Sequence, residues 1–203
     1  MVSETTQSLK AYSGGGFTNL IADLLEYRGY YYLEVPSLIP KQTVERCLAN
    51  TNNNAFEVDS GSEAELVLIP EVTQYVISQG INRLGKPKVY YIARCFRREL
   101  STSANRLREF TQIGVEYLGD NALDCCRDVR RDALWLFKQL KGEKGWTLTD
   151  DAERGLNLYL GTKAFEIASD SGVQLLGGGP YQGGAGWAIG LERFMGEGDI
   201  KMP

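Results

Sequence analysis

Two β-prone segments, Lys88–Arg98 (KVYYIARCFRR) and Glu109–Leu118 (EFTQIGVEYL), constrain this chain more than any other feature. Both are rich in β-branched and aromatic residues, and a polar stretch, Ser101-Thr-Ser-Ala-Asn105, lies between them. The pair predicts a long antiparallel hairpin. Around it, Phe17, Leu20, Ile21, Leu24 and Leu25 fall on one helical stripe that Gly29 stops. Tyr30–Val35 reads as a strand ended by Pro36, Lys41–Ala49 as a short helix, and Glu65–Pro70 as a strand running into a helix from Val72 to about Gln79. Asp120 is positioned to cap a long helix with Leu123, Cys126, Ala133, Leu136, Phe137 and Leu140 inward and Gly142 closing it. Trp146–Leu148, Leu156–Ala168 and Val173–Leu176 read as further strands, and Trp187–Met195 as a last helix. Strands arriving in hairpins, with helices set between groups, predict an α+β fold with a largely antiparallel sheet.

The chain has 203 residues, 43% hydrophobic and 24% charged, enough for one globular domain with a real core. A net charge of −4 excludes a general nucleic-acid coat, so any phosphate recognition has to come from a local cluster. Histidine is absent, which excludes His-based metal sites, Ser-His-Asp and Cys-His triads and imidazole proton shuttles. The cysteines, Cys47, Cys95, Cys125 and Cys126, form no CxxC spacing, as expected of a protein of the reducing cytosol. The polar N-terminus lacks the apolar region of a secretory signal, and no apolar run approaches the roughly 18–20 residues of a membrane span. No membrane partner is therefore expected.

The local cluster is the hairpin. Five of the thirteen arginines lie between Arg94 and Arg108. Alternation places Arg97 and Glu99 on one face and Arg98 on the other, while Arg108, Phe110, Gln112, Gly114 and Glu116 share a face on the return strand. Arginine forks suit phosphate oxygens, an aromatic ring can stack on a base, and Gln and Glu can hold a small zwitterion. Taken alone, the same pattern reads more readily as a solvated, salt-bridged hairpin.

The pattern has company. FRRE followed by RxxEF resembles motif 2 of class II aminoacyl-tRNA synthetases, Gly186–Phe194 (GWAIGLERF) their motif 3, and Gly29–Pro36 their motif 1. Within that class the chain resembles histidyl-tRNA synthetases most. Arg154–Thr162 (RGLNLYLGT) with Phe165-Glu166 is similar to their RGLDYYTG…FE signature, Pro70–Thr73 to PEGT, and Gly178–Gly183 (GGPYQG) to GGRYDG. The resemblance spans roughly residues 16–196 and implies a single catalytic domain built on an antiparallel sheet flanked by helices. It implies ATP with Mg²⁺ and histidine or a histidine-like amino acid as substrates, and an aminoacyl-adenylate as product. Arg97, Arg154 and Arg193 would be the catalytic cations, with Arg97, Glu99, Phe110 and Arg193 around ATP. Glu71, Thr73 and Gln112 would receive the amino acid's ammonium and carboxylate, and Glu116, Tyr159 and Tyr181 its imidazole-like side chain. No protein-held metal is implied. Adenylation asks for anions to be brought together and developing charge stabilised, which fixed guanidiniums do without a general base.

This chain departs from the family patterns at Pro180 and Gln182, at Asn157 and Leu158, and at Val72, positions on the amino-acid side. The stretch between Leu118 and Arg154 is too short for the domain the family inserts there, and the chain ends soon after Gly196, so no anticodon-binding domain is expected. The acyl acceptor could then be tRNA, a carrier protein or a small amine. The alternative is a non-catalytic paralogue that binds an amino acid and regulates a partner enzyme. A homodimer through motif 1 is expected, with Tyr30–Tyr32 offering the surface.

Overall fold

A computed structural model describes residues 14–48, 55–61, 65–99, 103, 106–152, 160 and 163–197. In chain order the elements are α1 (Gly14–Tyr27), β1 (Tyr31–Tyr32), β2 (Leu38–Pro40), α2 (Lys41–Leu48), β3 (Glu57–Val58), β4 (Leu66–Leu68) and α3 (Thr73–Leu84, interrupted at Gly80), then the hairpin β5 (Lys88–Phe96) and β6 (Glu109–Leu118). After the hairpin come α4 (Ala122–Lys141), β7 (Trp146–Asp150), β8 (Phe165–Ser169), β9 (Gln174–Tyr181), β10 (Gly184–Gly190) and α5 (Leu191–Gly196). Seven strands form one sheet in the order β1-β5-β6-β10-β9-β8-β7, antiparallel throughout except for β1 against β5. A small antiparallel sheet, β2-β4-β3, packs with α2 and α3 on one side of it. The fold is α+β, as the hairpins and interleaved helices predict.

The large sheet is covered on both faces, which is why its central strands read as apolar runs rather than clean alternations. On β5, Tyr90 and Ile92 face α1 and α4, while Val89, Tyr91, Ala93 and Cys95 face the small sheet and α3. Helix α4 contributes Val129, Ala133, Leu136, Phe137 and Leu140 at helical spacing to the first core, and α1 contributes Phe17, Ile21 and Leu25. Within that apolar layer, buried Asp132 accepts from Arg28 Nε (3.1 Å) and the Tyr30 hydroxyl (2.9 Å), tying the turn after α1 to α4.

Several boundaries differ from expectation. Trp187–Gly190 is the end of strand β10, not the start of a helix. Residues Gly184–Ile189 are paired on both sides, to β6 and to β9, and this ladder overrides the local helical pattern. The helix begins only at Leu191. Asn121, not Asp120, caps α4, its side chain accepting from Asp124 N at 3.2 Å, while Gly142 closes the helix as expected. Only Tyr31–Tyr32 of the Tyr30–Val35 stretch joins the ladder, with Leu33 N–H adding one bond to Tyr90 O (2.8 Å). The strand expected over Val173–Leu176 runs on through the glycines to Tyr181 as β9. Of the expected strand Leu156–Ala168, residues 165–168 are strand, extended to Ser169, and 156–159, 161 and 162 lie outside the described residues.

Candidate functional site

Past the end of β5 the hairpin ladder continues. Arg97 N–H donates to Arg108 O across the hairpin, and Glu99 N–H turns back to Arg97 O within its own segment, both at 2.8 Å. The Arg97 side chain is then held twice. Its Nε donates to Pro70 O at 3.0 Å, and its guanidinium carbon lies 4.9 Å from the centroid of the Phe110 ring on β6. Glu99 pairs with Arg106 at 3.5 Å, and Arg108 Nε donates to the Glu99 carbonyl at 3.0 Å.

The opposite wall is the corner where β10 turns into α5. Both carboxylate oxygens of Glu192 accept from Thr111 N–H at 2.9 Å, clamping α5 onto β6. The next residue, Arg193, donates through Nη1 to the Gln174 carbonyl at 3.2 Å. Burial lowers the pKa of Arg193, the like charge of Arg97 lowers it further, and Glu166 opposes both. Two guanidiniums that repel across one space are stabilised by an anion placed between them.

The floor is polar and buried. Glu71 accepts from the backbone N–H groups of Thr73 (3.1 Å) and Gln74 (2.8 Å) at the start of α3. Burial raises its pKa, and those bonds together with Arg97 pull it back. Gln112 Oε1 accepts from the Cys95 thiol at 3.1 Å. Burial pushes that thiol up to about 12, so Cys95 acts as a hydrogen-bond donor and not as a nucleophile.

Between these walls lies a cavity of about 320 Å³, within the usual span of small-molecule sites. The cavity brings together seven of the eleven residues singled out in the sequence: Glu71, Thr73, Arg97, Glu99, Phe110, Gln112 and Arg193. Glu116 and Tyr181 do not line it. They sit behind the floor, fully buried, with the Tyr181 hydroxyl donating to Glu116 Oε2 at 2.7 Å. Arg154 and Tyr159 lie outside the described residues. Arg106, Glu192, Gln174 and the Leu176–Gly177 and Ala188–Gly190 stretches also line the cavity, and the sequence reading did not single them out as site residues. Arg106 belonged to the arginine cluster, and Glu192 adjoins Arg193, so both carried a signal. The β9 contributors carried none, because their place depends on the pairing of β9 with β10. Among the described residues, no three acidic or cysteine side chains gather as a metal site, and no helix is long and apolar enough to cross a membrane.

With this geometry in hand, the chain can be set beside known proteins. The family described as histidyl-tRNA synthetase matches residues 16–149. A curated relative from Lysinibacillus sphaericus, named ATP phosphoribosyltransferase regulatory subunit, is 29% identical over 125 residues, covering 60% of this chain and 32% of the relative. A histidine–tRNA ligase from Mycoplasmopsis synoviae is 29% identical over 118 residues, covering 54% of this chain and 24% of the ligase. The matched region spans about a quarter to a third of these relatives' length. In three dimensions, the apo histidyl-tRNA synthetase of S. aureus superposes with a TM-score of 0.69 at 20% identity, covering 96% of this chain and 72% of that one.

Proposed function

The chain belongs to the histidyl-tRNA synthetase family, and from that premise we propose that it joins ATP and an amino acid in the cavity between β6 and α5 as an aminoacyl-adenylate. The observation that carries the reading is the placement of Arg97 and Arg193 around one cavity, with the Phe110 ring beside them. An amino-acid carboxylate oxygen attacks the α-phosphorus, the new P–O bond forms, and the bond to the leaving pyrophosphate breaks. Arg97 and Arg193 neutralise the charge that develops, and their fixed positions make this cost no reorganisation. A purine can stack on Phe110 once it shares the ring with, or displaces, the Arg97 guanidinium. Glu71 offers a carboxylate to the substrate ammonium, and Gln112, its carbonyl held by Cys95, offers its amide N–H to the carboxylate. Arg154 would add a third cation, as the family resemblance implies. Mg²⁺ arrives with the triphosphate as part of the substrate. The adenylate then passes to tRNA, a carrier protein or a small amine, in a cytoplasmic homodimer whose contact would use the half-exposed Tyr31 and Tyr32.

The test is amino-acid-dependent ATP–pyrophosphate exchange across all twenty amino acids. Exchange is expected, and Arg97→Ala should reduce it about a hundredfold or more, the loss typical of one electrostatic stabiliser. Wild-type protein with no exchange for any amino acid overturns the reading.

The Lysinibacillus relative supports a second reading, a non-catalytic paralogue that binds an amino acid and regulates a partner enzyme. Calorimetry separates the two: a regulator binds amino acid without ATP and does not turn over.

A further inference from the structure

We propose that Arg94, on the face of the sheet turned away from the cavity, is a positioning residue for the triphosphate. It holds and neutralises the Glu192 carboxylate, so that the positive charge of Arg97 and Arg193 is left for the nucleotide. This rests on the adenylation reading and deepens it, by naming a residue outside the cavity on which its anion binding depends.

The need for such a residue is visible in the cavity lining. Three arginines, Arg97, Arg106 and Arg193, line it together with three glutamates, Glu71, Glu99 and Glu192. Glu99 is paired with Arg106. Glu71 is held by the backbone N–H groups of Thr73 and Gln74. Glu192 adjoins Arg193, and its charge is felt on the cavity side of the sheet. There the Cys95 thiol is raised chiefly by burial, lowered by Arg97, and raised further by Glu71 and Glu192. A carboxylate left without a counter-charge at this wall opposes a triphosphate.

The position of Glu192 follows from where the ladder stops. Strand β10 pairs with β6 as far as Gly190 opposite Gln112, and the chain then leaves the sheet as α5. Thr111 lies just beyond that last pair, and its N–H is met by both oxygens of Glu192 at 2.9 Å. The carboxylate thus stands in for the carbonyl of a strand. Arg94 sits opposite Thr111 on β5. Alternation puts its side chain with those of Tyr90 and Ile92 and not with that of Cys95. Glu109 takes Nε at 3.2 Å and Nη2 at 2.8 Å, which fixes the fork. Nη1 then reaches the Thr111 hydroxyl at 3.0 Å and Glu192 Oε1 at 3.4 Å. One guanidinium therefore spans β5, β6 and α5 at the point where a side chain replaces the ladder, and charge on one face is felt on the other. The side chains are 52% exposed for Arg94 and 20% for Glu192, so the effect on the cavity is modest and the fold does not depend on the pair.

The experiment is calorimetry with MgATP on the full chain, comparing wild type, Arg94→Ala, Glu192→Gln and the double variant. Arg94→Ala is expected to weaken MgATP about three- to fivefold, the upper range for a partly exposed ion pair. Arg94→Lys, which keeps the charge, should keep most of the affinity. In the Glu192→Gln background no carboxylate is left to neutralise, so Arg94→Ala should change the affinity less than about twofold. A merely structural role for Arg94 would cost the same in both backgrounds. In ATP–pyrophosphate exchange the loss should fall on the KM for ATP and leave kcat in place. Equal losses in the two backgrounds, or an Arg94→Ala protein that binds MgATP like wild type, overturn the inference and leave the adenylation reading standing. Should Glu192→Gln fail to fold, Arg94→Lys against Arg94→Gln decides, and equal weakening by the two overturns the inference. A wild-type chain that binds MgATP but exchanges with no amino acid overturns the adenylation reading alone, and one that does not bind MgATP overturns both.

Discussion

Against α1, α4 and α5, the large sheet buries Tyr90, Ile113, Val115, Trp187 and Ile189 in an apolar layer. On the opposite face the same strands bury Tyr91, Cys95, Gln112 and Glu116, with Glu71 and Tyr181 beside them. Adjacent residues of one strand thus serve two different purposes, since successive side chains point to opposite faces. The helix-covered face gains non-directional stability from apolar burial. The other face spends some of that stability to hold carboxyl groups away from water. Stability and chemistry are segregated by the pleat, and each face can be perturbed separately.

The largest effect is expected from Phe137→Ala. Phe137 has no exposed surface and meets the rings of Phe194 (5.3 Å, edge-on) and Trp146 (5.7 Å). Its loss should cost about 3–5 kcal/mol in denaturant unfolding. Since Phe194 follows Arg193 on α5, the cavity wall should loosen as well. A cost below about 1.5 kcal/mol would mean that the helix-covered face is not the principal store of stability.

A smaller effect, on the other face, is a dependence on pH. Glu116 keeps its proton in the fold up to about 8, whereas in the unfolded chain it loses it near 4.5. Between those values the unfolded state binds fewer protons, so stability is complete below about 4.5 and declines as pH rises towards 8. Glu71, also raised by burial, adds the same sign. A chain without histidine has no imidazole titrating in that window, so the slope belongs to raised carboxyls such as these two, and the Glu116 share is the part that its substitution removes. Unfolding free energies at pH 5, 6.5 and 8 should therefore fall in the wild type and fall less in Glu116→Gln. Equal slopes would show that Glu116 is not held neutral and would erase the electrostatic contrast between the faces.

The contrast also explains what was legible in the sequence. Local signals sufficed for α4, whose apolar residues recur at helical spacing, and for the β5–β6 hairpin, where alternation correctly put Phe110, Gln112, Gly114 and Glu116 on one face. They failed at Trp187–Gly190, because that stretch is extended only by virtue of partners on both sides. The site divided in the same way. Arg97, Phe110 and Arg193 lie in the stretches that resemble the family's motifs 2 and 3, so the resemblance, and not spacing alone, leads to the expectation that they gather around one cavity, which all three line. The withdrawal of Glu116 and Tyr181 behind the floor was not foreseeable, because it depends on tertiary packing of Tyr91 and on backbone approach at Gly114 and Gly186. The small β2-β4-β3 sheet had only the Glu65–Pro70 signal, its other strands being three and two residues long.

The smallest effect tests the segregation from the quiet side. Asn121 begins α4, with Oδ1 accepting from Asp124 N at 3.2 Å and Nδ2 donating to Asp124 Oδ2 at 2.7 Å. Asn121→Ala should cost about 1 kcal/mol, the usual worth of an N-cap. Among the described residues, helix α4 packs on the face of the sheet away from the cavity, so this loss should appear in unfolding but not in the KM for ATP or in the pH slope assigned to Glu116. A change in either would mean that strain crosses the sheet through β6 and β10, whose residues alternate between the layers. Stability and substrate binding would then be coupled through the pleat and not divided by it.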